Sequence, residues 1–245
     1  MSGTDHDRLR SIIESYNRKE RFFVFQQVAT TGVVELSESF RRSLVGIGWD
    51  VPEEGVDVYF DYHLNWLYAA LEEYDGEWAP EGNVKTGHQN PTSSLPGTDK
   101  HALENNQEDV DVLLVWQQGT ATHLGLIEAK AYGGWTRKQL RSKVARLGAI
   151  FGDRDETDIG RRRYKHVVPH FCLLDAKPSG ITATDWPGWM APERQIQRVK
   201  ITIPTSARRV VGRTDANGKP CATGGHFGVR LNGTTTPTEG DATAL

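Results

Sequence analysis

The stretch Asp109–Arg146, DVDVLLVWQQGTATHLGLIEAKAYGGWTRKQLRSKVAR, decides how this chain folds. It holds two apolar runs, Val110–Trp116 and Leu124–Ala129, separated by the polar segment Gln117–His123 with Gly119 inside it. Short apolar runs on either side of a Gly-containing polar turn read as neighbouring buried strands joined in a hairpin. Each run carries charge at one end: Asp109 and Asp111 open the first, Glu128 and Lys130 close the second. Side chains alternate across a strand, so Glu128 and Lys130 share one face while Ala129 points to the other. In an antiparallel pair the start of one strand lies beside the end of the next. Asp111, Glu128 and Lys130 therefore converge. Two carboxylates and one ammonium are the composition of a site that holds a divalent cation and acts on a phosphate.

After the second run, the residues 136–151 read as a helix. Thr136 caps it, Leu140, Val144, Leu147 and Ile150/Phe151 form its apolar stripe, and Gly152 stops it. Gln139, Lys143 and Arg146 recur at i, i+4 and i+7 and make one polar face. His166–Leu174 is a further apolar, β-like run whose Pro169 suggests an edge position or a bulge.

Upstream, residues 5–19 read as a helix with Leu9, Ile12, Ile13 and Tyr16 on one stripe, and Ser37–Ile47 as another with a Ser N-cap. Phe22–Val28 is apolar enough for either strand or helix. Asp61–Tyr74 reads as a helix through Leu64, Leu67, Tyr68 and Leu71, followed by a long polar loop to residue 108 in which Asn83–Thr86 is a candidate strand. Downstream, Ser179–Pro192 is an irregular excursion. Its Trp186 and Trp189 either pack on the core or offer rings for base stacking. Val199–Pro204 and Arg208–Arg213 read as strands, Asn217-Gly218 marks a hairpin turn, and His226–Leu231 is the return strand. Residues 232–245 have no apolar period and read as a disordered tail.

The composition suits a soluble α/β protein: 245 residues, 37% hydrophobic and 25% charged, with only two isolated cysteines. That cysteine usage and the absence of an apolar leader at the N-terminus make the cytoplasm the expected location. The net charge of −3 is unevenly spread. Between Arg137 and Lys165 there are ten Lys/Arg against four acids, a local +6 that leaves −9 for the rest. A basic strip directly after paired carboxylates is what a phosphate-tracking surface needs; a solvated helix face is the plainer reading.

These residues resemble the PD-(D/E)XK nuclease superfamily. The resemblance rests on Asp111, then Glu128-Ala129-Lys130, a Gly133-Gly134 turn and a helix carrying Gln139, and covers roughly Tyr62 to Asp175. Val110 stands where the motif often has proline. The resemblance implies an αβββαβ core with a mixed central sheet flanked by helices. It divides the chain into an N-terminal helical section (1–52) packed on that core, the core itself (53–178), a C-terminal β extension (179–231) and the tail (232–245). It also implies Mg²⁺, with Mn²⁺ as a substitute, held by Asp111, Glu128 and the backbone carbonyl of Ala129. Lys130 would orient or deprotonate a water, and Gln139 would position that water or a phosphate oxygen. Lys143, Arg146, Arg161, Arg162 and Arg163 would contact the substrate strand, with Lys85, His88 and Lys100 as further candidates in the polar loop. An acid from helix 61–74, Glu72 or Glu73, can join the metal site or simply be solvated.

The expected activity is cleavage of phosphodiester bonds in nucleic acid, foremost double-stranded DNA, in a restriction or defence setting. A homodimer is expected where both strands are cut at one place. The alternative is a non-catalytic nucleic-acid-binding or interaction protein on the same scaffold, with the charges kept as a salt-bridged pair. Three buried-edge charges that serve structure alone are costly, because desolvation offsets most of their attraction.

Overall fold

The computed structural model describes residues 5–15, 34–75, 89–130, 135–152, 164–175, 180–200 and 209–231. The chain divides into two compact units, Met1–Ile201 and Thr202–Leu245. The first is built on a five-stranded mixed sheet in the order β1-β2-β3-β4-β5. Its strands are β1 (Asp57–His63), β2 (Asp109–Gln118), β3 (Ala121–Lys130), β4 (Val167–Asp175) and β5 (Arg198–Lys200). β1 pairs antiparallel with β2 and β2 with β3, whereas β4 lies parallel to β3 and β5 parallel to β4. Flanking helices are α1 (Asp5–Ser15), α2 (Glu38–Gly46), α3 (Leu64–Tyr74) and α4 (Arg137–Phe151). The unit is therefore an α/β fold with helices on a mixed sheet.

The β2–β3 hairpin follows from its residues. Gly119 supplies the left-handed φ of +60° that the two-residue turn requires, and the pairing runs from Gln118↔Ala121 to Val112↔Ile127. On one face, Leu113, Val115, Leu124, Leu126, Phe171 and Leu173 are buried beneath apolar stripes from α1, α3 and α4. On the opposite face, Leu114, Trp116, Ile127 and Cys172 pack with Leu44 of α2 and with Trp49 and Val51. This second face leaves no room at Gly125. A Cβ there would lie 2.8 Å from a ring carbon of Trp49 and 3.2 Å from both Leu114 and Trp116. Gly125→Ala should therefore destabilise the fold by about 1–3 kcal/mol through overpacking, read as a lower urea midpoint at unchanged m-value. An unchanged midpoint would mean that the tryptophans shift freely.

Three expectations about order need correction. Asp61–Tyr74 is not all helix: Asp57–His63 is the first strand of the sheet and α3 begins at Leu64. Tyr59 and Tyr62 are buried on the strand, and the parity of the pattern breaks at Asp61, whose backbone is left-handed at φ +52°. That break hides the strand period. The candidate strand Asn83–Thr86 lies outside the described residues, as do Phe22–Val28 and the 232–245 tail. α3 thus follows the first strand instead of preceding it.

The edge position expected for Pro169 is found. The proline sits in β4, which is flanked by β3 and β5, yet β5 pairs only with Leu173–Asp175. Pro169 therefore faces a locally open edge, where its missing N–H costs no ladder bond. The third correction is that β5 places residues 198–200, expected within the C-terminal extension (179–231), in the main sheet. The second unit contains the expected hairpin, β6 (Arg209–Thr214) paired antiparallel with β7 (His226–Leu231). Among the described residues no helix is long and apolar enough to cross a membrane.

Candidate active site

Register brings the acidic ends of β2 and β3 together. The Ala129 backbone N–H donates to Asp111 Oδ2 at 2.7 Å, which ties the Asp111 side chain to the Glu128-Ala129-Lys130 segment. Glu128 continues the Leu124 and Leu126 face of β3, so its carboxyl points toward α4 and is only 4% exposed. Burial pushes its pKa up to about 8, with the charges of Asp111 and Glu108 adding to the rise and Lys143 opposing it.

α4 supplies the partners. Thr136 accepts from the Gln139 N–H while the Gln139 side chain reaches back to Thr136, a complete capping box that fixes the helix start. Gln139 Oε1 also accepts from Lys130 Nζ at 2.9 Å. Lys130 Nζ lies 5.2 Å from the centre of the Trp135 ring. Gln139 thus positions the lysine, a nearer role than the expected one toward water or phosphate. Trp135 Nε1 is buried and makes no hydrogen bond among the described residues.

One turn along α4, Lys143 points inward. Its Nζ donates to Glu128 Oε1 at 2.5 Å and to the backbone carbonyl of Asp109. Arg146, another turn on, has no exposed surface. Its guanidinium donates to the Ala102 carbonyl at 3.0 Å, to Asn106 Oδ1 at 2.6 Å and to Asn65 Oδ1, and lies 3.7 Å from Glu108. The face that carries Gln139, Lys143 and Arg146 is therefore turned into the protein at Lys143 and Arg146, while Gln139 at its start stays exposed. Arg146 binds the 102–108 segment to α3 and α4 and has no surface left for a phosphate. Arg161, Arg162 and Arg163 lie outside the described residues, as do Lys85 and His88.

Glu72 is occupied elsewhere, accepting from the Tyr164 hydroxyl at 2.7 Å, and the carbonyl of Glu73 accepts from Arg8. The acid that does approach is Glu108. It raises the Glu128 pKa and accepts from Ser142 Oγ at 3.2 Å. The signal for it is present in the chain: Glu108 immediately precedes β2 and shares its acidic opening with Asp109 and Asp111.

The donor set here is hard oxygen, which suits Mg²⁺ or Mn²⁺ and not a soft metal. Among the described residues no group of three His, Cys, Asp or Glu is arranged to hold an ion. Two carboxylates suffice for Mg²⁺, which keeps several of its waters. An ammonium held between a carboxylate and a backbone carbonyl is already a bound cation, so the bond from Lys143 displays the preference of the site. The residues fit a hydrated divalent ion, provided that Lys143 gives way at Glu128.

No protein-family model, curated protein or solved structure matches this chain.

Proposed function

We propose that this chain is a metal-dependent phosphodiesterase of the PD-(D/E)XK type that cleaves DNA in a restriction or defence role. One observation carries the reading: the antiparallel register sets Asp111 against Glu128-Ala129, with Lys130 two residues on and steadied by Gln139. On this reading the αβββαβ core comprises an N-terminal helix, β1, β2, β3, α4 and β4, with α3 inserted after β1. Asp111, Glu128 and the Ala129 carbonyl would hold Mg²⁺ or Mn²⁺, which when bound supplies an activated water and neutralises charge developing on the phosphate. Lys130 orients that water and stabilises the same charge, in a geometry fixed by Gln139 and the Trp135 ring. Lys143 compensates Glu128, and its ammonium would have to leave Glu128 Oε1 for that carboxylate to hold an ion.

The test is incubation of the purified protein with plasmid, linear duplex, single-stranded DNA and RNA. Cleavage is expected with Mg²⁺ or Mn²⁺ and none with EDTA, while Ca²⁺ binds without supporting turnover. Full activity in EDTA would sink the mechanism.

The Glu128–Lys143 bond also favours a second reading, in which the pair is permanent and the protein binds nucleic acid or a partner without cutting it. Calorimetric titration with Mg²⁺ separates the two. Heat that disappears in Asp111→Asn supports the enzyme, and no heat in either protein supports the binding module.

A further inference from the structure

The opposite flank of α4 borders a groove of about 670 Å³ that the site above does not use. Arg137, Lys138 and Arg141 of α4 line one side with Lys100 facing them, and Leu95, Val144, Ile181 and Trp186 add apolar surface. The walls are tied to the helix. Arg141 donates to the carbonyls of Pro96 at 3.2 Å and Gly97 at 2.8 Å. Gly97 is what admits the guanidinium: its φ is +69°, and a Cβ on it would lie 2.7 Å from the Arg141 side chain. On the other wall Arg137 donates to Thr182 Oγ1 at 2.7 Å. Trp186 is half-buried, edge-on to Phe171 with ring centres 5.8 Å apart.

Lys100 is paired with Glu104 at 3.0 Å, and the three α4 cations Arg137, Lys138 and Arg141 face two carboxylates, Asp99 and Asp185, so the groove is net positive. Apolar and aromatic surface below a basic rim is complementary to a flat ring that carries a phosphate. The volume lies within the range of about 300–1,000 Å³ that encloses small ligands, which takes a nucleotide or two and no stacked duplex. Gln139 and Lys143 face the site from the same two turns of α4, so the groove and the site lie across one helix from each other. We infer that this groove seats an unpaired nucleotide of the substrate, with its base against Trp186 and its phosphates on Lys138 and Arg141. The substrate class would then be DNA with a single-stranded tail or frayed end. This deepens the phosphodiesterase reading and rests on it for the identity of the substrate.

The experiment is fluorescence anisotropy in EDTA with a labelled oligothymidylate and with a blunt-ended duplex hairpin. Trp186→Ala should weaken oligothymidylate binding by about 5–150-fold, the effect of removing one base stack, and Trp186→Phe should restore most of it. The rescue by Phe separates missing stacking from a damaged fold. Lys138→Glu should weaken the same binding and flatten its log–log salt dependence by about 0.7 for each phosphate no longer neutralised. Thymidine 5′-monophosphate should compete, and inorganic phosphate alone should compete far less. Equal weakening on the blunt duplex, or equal competition by inorganic phosphate, would overturn the groove assignment. Wild type that cleaves duplex in Mg²⁺ while oligothymidylate affinity ignores both substitutions retires the groove alone. Wild type that binds oligothymidylate through Trp186 and Lys138 but cleaves nothing retires the phosphodiesterase and leaves the groove standing.

Discussion

Lys143→Met should cost about 3–5 kcal/mol of stability, the usual result of removing one partner from a buried ion pair. For a chain of this size the melting temperature should fall on the order of 10 °C. The side chains of Lys143 and Glu128 are 10% and 6% exposed, so water does little to replace the missing ammonium. Left behind is a carboxyl that burial, and then Asp111 and Glu108, already push toward its neutral form.

The destabilisation should depend on pH, and its sign follows from protons. The folded-state pKa of Glu128, about 8, lies above the ordinary value of 4.5, so between those values the folded chain binds more protons than the unfolded one. Stability from this group is complete below the ordinary value and is lost as pH rises through the folded one. Removing Lys143 raises the folded value further, so the variant should be weakest above pH 8 and partly recover toward pH 6. Adding Glu128→Gln should restore most of the stability, because a neutral amide has no buried charge to compensate. Mg²⁺ should stabilise Lys143→Met more than wild type, since the ion no longer competes with an ammonium for Glu128. Thermal melts at pH 6 and pH 9, with and without Mg²⁺, check all of this. A variant as stable as wild type at pH 9 would show that the pair carries no weight in the fold.

Lys130→Ala should lower the cleavage rate by about 10²–10⁴-fold, the range for a group that acts on a proton or a developing charge. Metal and DNA binding should stay close to wild type, because Lys130 contacts Gln139 and Trp135 and holds no ligand position. Asp111→Asn should abolish rate and metal binding together, since a neutral amide is a far poorer ligand than a carboxylate. Single-turnover cleavage beside calorimetric Mg²⁺ titration tells the two apart. Gln139→Leu should fall between them and lower the rate without altering metal affinity, as expected of a positioning residue. Equal metal affinity in wild type and Asp111→Asn would move the ligand assignment to Asp109 or Glu108.

What the chain reveals without its fold is what its neighbours along the chain decide. Val110–Trp116 and Leu124–Ala129 are legible as paired strands because apolar runs around Gly119 leave few alternatives, and Thr136 and Gly152 mark both ends of α4 by local capping chemistry. Alternation by two also puts Glu128 and Lys130 on one face before any packing is known.

The helix face of Gln139, Lys143 and Arg146 is different. Its polar character is evident in the chain, but its direction is not, and a polar stripe reads as solvated. In the folded protein Glu128 and the 102–108 segment lie beneath it, so two of its three residues are buried and compensated. Those partners lie 15 to 44 residues away in the chain, beyond the reach of any local pattern. For the same reason β1 stays hidden in the sequence: the broken parity at Asp61 makes sense only against β2, its partner. The groove beside α4 is likewise a product of tertiary packing, because Gly97, Arg141 and Trp186 have no relation in the chain until two separate segments meet against the helix that carries Arg141. Periodicity and capping are local and can be read along the chain. Which charge is buried, and against what, is a matter of long-range packing, and only the folded structure decides it.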